Sequence, residues 1–400
     1  ELPARAAGGP ARPPPPLLAF VLLAWLAPLP GAQTTKEPEP PPAIDPYTKG
    51  APEALKALGY LSYGPFLFGA EPTDAVQRAL GGLPILWVET EHFVIGSSLE
   101  EFDPEKPEEV AELKRELEGL RAKLKSFPAK PKKLDPWLRL HLFAARMEEL
   151  HADFVRVTGV LPRRDGKPGD GGPPALMAGG KYALLLTEKK SALARFTHTY
   201  CGNEQKNSFS YLFPKSGQLF FGVSNESIGS DTPIGDAELF YVALYGVARN
   251  LLCSVDSFVN NPEPWWQHGV PLWFARERQP RVLLYTRPAG EALPPEELED
   301  WEPLARGRYE GGAVLGWKEM LARPDWLNTP NFGENVILWA RIDYLLADPD
   351  RARALFAGLH GPKAIDGTTT LARATGKDLV GLEQDCKDFA LSTYRKKRKR

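Results

Sequence analysis

A chain of 400 residues, 43% hydrophobic and 25% charged, can bury one large core or two smaller ones, which excludes wholesale disorder. Its formal net charge of -2 excludes a general attraction to nucleic acid, so no nucleic-acid partner is expected. Three cysteines, Cys201, Cys253 and Cys386, lie far apart without CxxC spacing, which argues against a cysteine-based zinc site and favours buried, inert thiols.

The N-terminal region reads as export machinery followed by linker. Leu17 to Leu26 is a short apolar run, preceded by Arg5 and Arg12 and followed by Pro28-Leu29-Pro30-Gly31-Ala32, where small residues suit a signal peptidase. The run is too short to span a bilayer comfortably, so residues 1–32 are expected to be a signal peptide and the membrane to matter only through it. Residues 33–50, with Glu37-Pro38-Glu39-Pro40-Pro41-Pro42, offer little to bury and read as a Pro-rich linker.

Beyond residue 51 the pattern alternates between strand and helix. Ile85 to Gly96 has strand density with a polar break, which predicts two segments or a bulge. Val110, Leu113, Leu117, Leu120 and Leu124 recur at helical spacing, and Asp135-Pro136 caps a second long helix running to Val157. His141 and His151, about 80° apart on that helix, share no simple metal face, and His92 is expected to pack or face solvent. Tyr182 to Thr187 is a predicted buried strand, and Pro214-Lys215-Ser216-Gly217 joins two strands in a hairpin. Two apolar helices follow, one from Asp236 to Leu252 and one opening at Pro264-Trp265-Trp266-Gln267-His268-Gly269. The fold class is therefore α+β, a small mixed or antiparallel sheet with long helices over 51–234, then a helical part over 235–394.

The order of these last segments carries a resemblance. The helix pair, then Asn335 to Leu346, then Leu371-Ala372-Arg373-Ala374-Thr375-Gly376-Lys377-Asp378-Leu379-Val380-Gly381-Leu382-Glu383, resembles the gluzincin, or peptidase MA-like, zinc metallopeptidases, from about residue 85 to 392. The resemblance implies a zincin-like fold in which HExxH lies on the first helix and a glutamate on the second completes the zinc site. Laid on that pattern, the first histidine is Tyr245, the glutamate Gly246, the second histidine Arg249 and the distal glutamate His268. HExxH needs two imidazoles one turn apart on one metal and a carboxylate to deprotonate the bound water. Arg249 stays cationic with no lone pair to donate, and Gly246 has no side chain. No metal or other cofactor is expected, and the chain resembles a pseudopeptidase.

Two functions follow as expectations. The leading one is an exported, noncatalytic protein whose remnant cleft, formed by Tyr245, Arg249, Trp265, Trp266 and His268, binds a peptide or anionic ligand, with Arg249 as the carboxylate-recognising group. The alternative is a hydrolase with relocated, metal-free acid-base chemistry using Glu238, Tyr245 and His268. The basic run from Arg395 to Arg400 is read first as a solvated tail and second as an attachment to an anionic envelope polymer or to nucleic acid. Export predicts a mature protein whose first residue, read by N-terminal sequencing of the secreted fraction, lies near Gln33; full-length chain retained in the cytoplasm of the native host would refute a functioning signal.

Overall fold

A computed structural model describes residues 44–104, 107–162, 174–176, 180–228, 236–255, 263–282, 300–323, 331–359 and 366–396. The predicted signal peptide, the linker up to residue 43 and the tail beyond residue 396 lie outside the described residues.

The first described residues are docked rather than free. Asp45, 1% exposed, accepts the hydroxyl hydrogens of Thr48 and Tyr63 and lies 3.2 Å from His141 Nε2, while Tyr47 stacks on Phe127 at 4.9 Å. The predicted linker 33–50 therefore ends, at Asp45, in a buried anchor. Helix α1 (Pro52–Leu58) stops where Gly59 takes φ +78°, and strand β1 (Tyr60–Ser62) follows. A two-stranded ribbon, β2 (Leu67–Phe68) and β3 (Glu71–Pro72), leads into α2 (Thr73–Ala79).

The polar break in the apolar run 85–96 is a hairpin turn. Strands β4 (Leu86–Thr90) and β5 (Phe93–Ser98) pair antiparallel with Trp87 opposite Gly96. A side chain at 96 would begin 2.4 Å from the Trp87 ring, so glycine is what lets the indole lie across the neighbouring strand. Helices α3 (Pro107–Lys123) and α4 (Pro136–Thr158) follow. Asp135 caps α4 by accepting the Leu138 N–H, and Gly159 in the left-handed region ends it. Strand β6 (Tyr182–Thr187), helix α5 (Lys190–Cys201), strands β7 (Phe209–Phe213) and β8 (Gln218–Ser224) and the short α6 (Asn225–Ile228) complete the first half.

The main sheet is mixed, in the order β1-β4-β5-β6-β8-β7; β5, β6 and β8 run parallel and the remaining neighbours antiparallel. The two-residue period of each strand sorts its side chains onto two faces. Val88, Ile95, Leu184, Leu186, Phe221 and Val223 face the large core beneath α4 and the helical half, while Trp87, Val94, Ala183, Leu185 and Phe220 pack with Phe68 and Phe196 of α5. Covered on both faces, β6 is buried at all six residues, which is why its sequence reads as a continuous apolar run.

The second half is helical: α7 (Asp236–Cys253), α8 (Pro264–Arg278), α9 (Trp301–Gly311), α10 (Trp317–Ala322), α11 (Phe332–Leu346), α12 (Pro349–Leu359), α13 (Gly367–Thr375) and α14 (Leu379–Thr393). The stretch 371–383 crosses from α13 to α14, parted at Gly376 with φ +70°. Among the described residues no helix is long and apolar enough to cross a membrane. The start of the basic tail is held: Tyr394 stacks on Trp339 at 5.4 Å, and Arg395 donates to Glu302 and Asp300 at 2.8 and 3.1 Å.

Helix α7 begins on a buried charge network. Asp236, 1% exposed, accepts Arg139 Nε and Nη2 at 3.2 and 3.1 Å through one oxygen and Arg146 Nη1 at 2.7 Å through the other. Arg146 also grips Glu116 of α3 with two hydrogen bonds of 2.8 and 2.7 Å and lies 4.2 Å over the Phe240 ring. Removing one partner would leave the others buried and uncompensated. Asp236→Ala is expected to cost about 3–5 kcal/mol in urea unfolding; a loss under about 1 kcal/mol, the value of an exposed pair, would show that the network carries little.

Candidate functional site

Helices α7 and α8 each pack closely on a further neighbour where a glycine stands at the contact. A Cβ on Gly246 would lie 2.2 Å from the Phe221 ring of β8, so α7 rests its backbone directly on the sheet. A Cβ on Gly269 would lie 2.8 Å from Ile342, which brings α8 equally close to α11. Between the two helices, Tyr245 and His268 lie within hydrogen-bond distance.

The resulting chain has a single direction. Asn331 caps α11, accepting the Glu334 N–H while Glu334 accepts the Asn331 N–H, and the Asn331 carbonyl takes a hydrogen bond from Asn335 Nδ2 at 3.2 Å. The amide of Asn335 is thereby turned with Oδ1 toward His268 Nε2, 2.6 Å away. Nε2 must then carry the proton, Nδ1 is the acceptor, and Tyr245 donates its hydroxyl to it at 2.8 Å. Burial, reinforced by the charge of Arg249 and opposed by the Asn335 hydrogen bond, holds His268 down at about 4, so the ring is neutral at physiological pH. Tyr245, His268 and Asn335 are 9%, 5% and 0% exposed.

Arg249 lies one turn beyond Tyr245 and is half-buried. Among the described residues its hydrogen bond runs from Nη2 to Gln267 Oε1, at 3.1 Å. A guanidinium has five N–H donors, so most of this one's capacity meets no acceptor among the described residues. The structure thus brings Tyr245, Arg249 and His268 together. It turns Trp265 and Trp266 away into the helical core, where Trp265 meets Trp317 edge-on at 5.7 Å and Trp266 meets Phe356 at 5.1 Å. Both tryptophans are essentially fully buried, so they support the site from behind rather than line it.

Zinc does not fit this donor set. His268 has both nitrogens engaged, Arg249 is a cation, and the space a side chain at Gly246 would need is filled by the Phe221 ring. Among the described residues no three His, Cys, Asp or Glu side chains converge as a metal site would require. Glu238 is not the partner of His268, whose nitrogens bond to Tyr245 and Asn335; the grouping of Glu238, Tyr245 and His268 considered for acid-base catalysis is not formed by hydrogen bonds to that ring.

Sequence reasoning missed Asn335, Gln267 and Phe221. Asn335 had a legible signal, an amide within the first turn of a largely apolar helix, whereas Phe221 is an ordinary strand residue whose role depends on which helix crosses it. No protein-family model matches the chain, and no curated protein matches it in sequence.

The burial of His268 has a consequence for stability. Its folded value near 4 lies below the ordinary 6.5, so the fold favours the neutral ring. The associated stability is fully present above about pH 6.5 and is lost as pH falls toward 4. His268→Gln can still accept from Tyr245 and donate to Asn335 but cannot titrate. Between pH 7 and 4.5, urea unfolding is expected to show the parent losing about 2 kcal/mol more than the variant; equal losses would place the acid sensitivity elsewhere.

Proposed function

We propose that this chain is an exported pseudopeptidase, built on a gluzincin-like, zincin-type scaffold and noncatalytic at the former metal position. The observation that carries the reading is the Tyr245–His268–Asn335 chain, in which two positions corresponding to zinc ligands hold each other instead of a metal. A zinc ion in such a site ties one helix to the next. The hydrogen-bonded strut does the same for α7, α8 and α11 without charge, and neutral His268 needs no counterion.

Ligand recognition then falls to Arg249. Among the described residues its guanidinium has donors to spare beside the neutral strut, which suits the carboxylate of a peptide or another anionic group. The alternative reading, a metal-free hydrolase centred on His268, is disfavoured by the engagement of both its nitrogens. Export rests on the charged, apolar and small-residue order of residues 1–32, and the cationic tail suits an anionic envelope polymer.

The purified mature chain is expected to hold no stoichiometric zinc by elemental analysis and to hydrolyse no peptide. Restoring the family's residues tests the scaffold assignment directly. Tyr245→His, Gly246→Glu, Arg249→His and His268→Glu together place a carboxylate against the Phe221 ring, so this fourfold variant should fold poorly, whereas adding Phe221→Ala should give a folded protein that takes up one zinc. A folded fivefold variant without zinc affinity would sink the assignment. So would stoichiometric zinc in the parent that is lost on His268→Ala.

A further inference from the structure

A second cluster of histidines lies where the β4–β5 turn meets α4 and the start of β6, and it shares no residue with the strut. His92 is clamped by Glu148, whose carboxylate accepts the His92 backbone N–H at 3.0 Å and lies 2.7 Å from Nδ1. Burial alone would raise the Glu148 carboxyl, but the hydrogen bonds from His92 and Thr90 outweigh it and leave the group below the usual carboxylate range. An ionised carboxylate can only accept, so Nδ1 carries the hydrogen and the lone pair of neutral His92 is on Nε2. The exposed Glu91 carboxylate lies 3.9 Å from Nε2, beyond hydrogen-bond distance.

His151 lies under this ring. The two imidazoles stack at 3.6 Å with an 18° angle between planes. His151 is 4% exposed, and among the described residues no hydrogen bond engages either of its nitrogens. Burial first, then the proximity of His92, holds it at about 4, so it is a neutral ring with one N–H donor left unused. Both histidines line a cleft of about 420 Å³ walled by Pro162, Leu176 and Tyr182. Lys181 borders it, but its ammonium is tethered to the Thr90 carbonyl and lies 3.3 Å from Glu89.

These groups do not make a metal site, because the in-plane lone pairs of two nearly parallel stacked rings cannot converge on one ion. They do make a base beside an electrophilic donor. We propose that this cleft is an acid-base site for an uncharged carbonyl substrate, with His92 Nε2 as the general base, His151 N–H as the donor to the carbonyl oxygen, and Glu148 as the positioning residue. The Glu91 carboxylate on the lining disfavours an anion, and the apolar walls suit an ester. His92 Nε2 takes a proton from water as the water oxygen bonds to the carbonyl carbon. The C=O electron pair moves onto oxygen, which the His151 N–H stabilises. The C=O then reforms, the C–O bond to the leaving alcohol breaks, and the alkoxide takes the proton from Nε2, so ester and water become acid and alcohol.

The probe is p-nitrophenyl acetate, applied to the whole chain at neutral pH. Saturable hydrolysis is expected, falling about a hundredfold in His92→Gln and unchanged in His198→Gln, a control on an exposed histidine of α5. His151→Phe keeps the stack and removes the donor, so kcat should fall about tenfold with little change in KM. Glu148→Gln tests positioning: NMR of the His92 ring nitrogens should show the Nδ1–H tautomer in the parent and a mixture in the variant. Should His151→Phe fail to fold, the comparison of His92→Gln with His198→Gln still decides. Absence of hydrolysis in the parent, parental rates in His92→Gln, or an equal loss in His198→Gln would each overturn the proposal.

Discussion

Everything in the helical half is placed by the buried carboxylate of Asp236. Two arginines of one helix approach it, Arg139 and Arg146, seven residues and so nearly two turns apart on α4. A single aspartate at the start of α7 satisfies both, which fixes the position of α7 along α4 and its rotation about its own axis. The negative charge also sits at the helix end where the peptide dipoles favour it. Nonpolar burial could hold the two helices together at several registers. The paired guanidinium groups accept only one, since any slip would leave a charge in the core without its partner.

With that register set, the rest of α7 follows by the helical repeat. Gly246 comes ten residues after Asp236 and faces the sheet, where Phe221 fills the space a side chain would need. Tyr245, one residue earlier, therefore points about 100° away, toward α8, and reaches His268. On the far side of α8, Gly269 admits Ile342 and seats α11, whose capped first turn presents Asn335. Polar groups within this layer are affordable only as a closed set: each of Tyr245, His268 and Asn335 satisfies the next, and the last is satisfied by a helix cap.

Much of this was legible in the sequence where a local cause acts alone. Asp135-Pro136 announced α4, the turn at 214–217 announced the β7–β8 hairpin, and the continuous apolar run of β6 announced a strand buried on both faces. The elements that were not singled out, such as α5, α9 and α12, are ones whose apolar positions are diluted by charges or small residues and whose helical state is supported by tertiary packing. The grouping of Tyr245, Arg249 and His268 was legible because it depends on one helix pair at a readable spacing. The placement of Trp265 and Trp266 was not, because a tryptophan beside a polar residue on a helix can face either side, and only the positions of Trp317 and Phe356, fifty and ninety residues on, decide which. His92 and His151 were read separately as structural, and Glu148 was not singled out, for the same reason: their proximity is created by the fold, through the β4–β5 turn folding back on α4.

The two histidine clusters show how equal burial leads to opposite chemical character. His268 and His151 are both pressed toward the neutral form by the same cause, removal from water, and to a similar extent. Around His268 the protein answers every ring nitrogen, so the neutral imidazole is spent within the structure and any external ligand would have to break a hydrogen bond before gaining one. Among the described residues it answers neither nitrogen of His151, and the ring meets instead an imidazole whose inner nitrogen is clamped and whose outer one has no hydrogen bond there. On the wall of the cleft the His151 ring is available to a ligand bringing an acceptor. Where polar capacity is closed the site is a strut, and where it is left open on the wall of a cleft the same side chain is poised for a ligand.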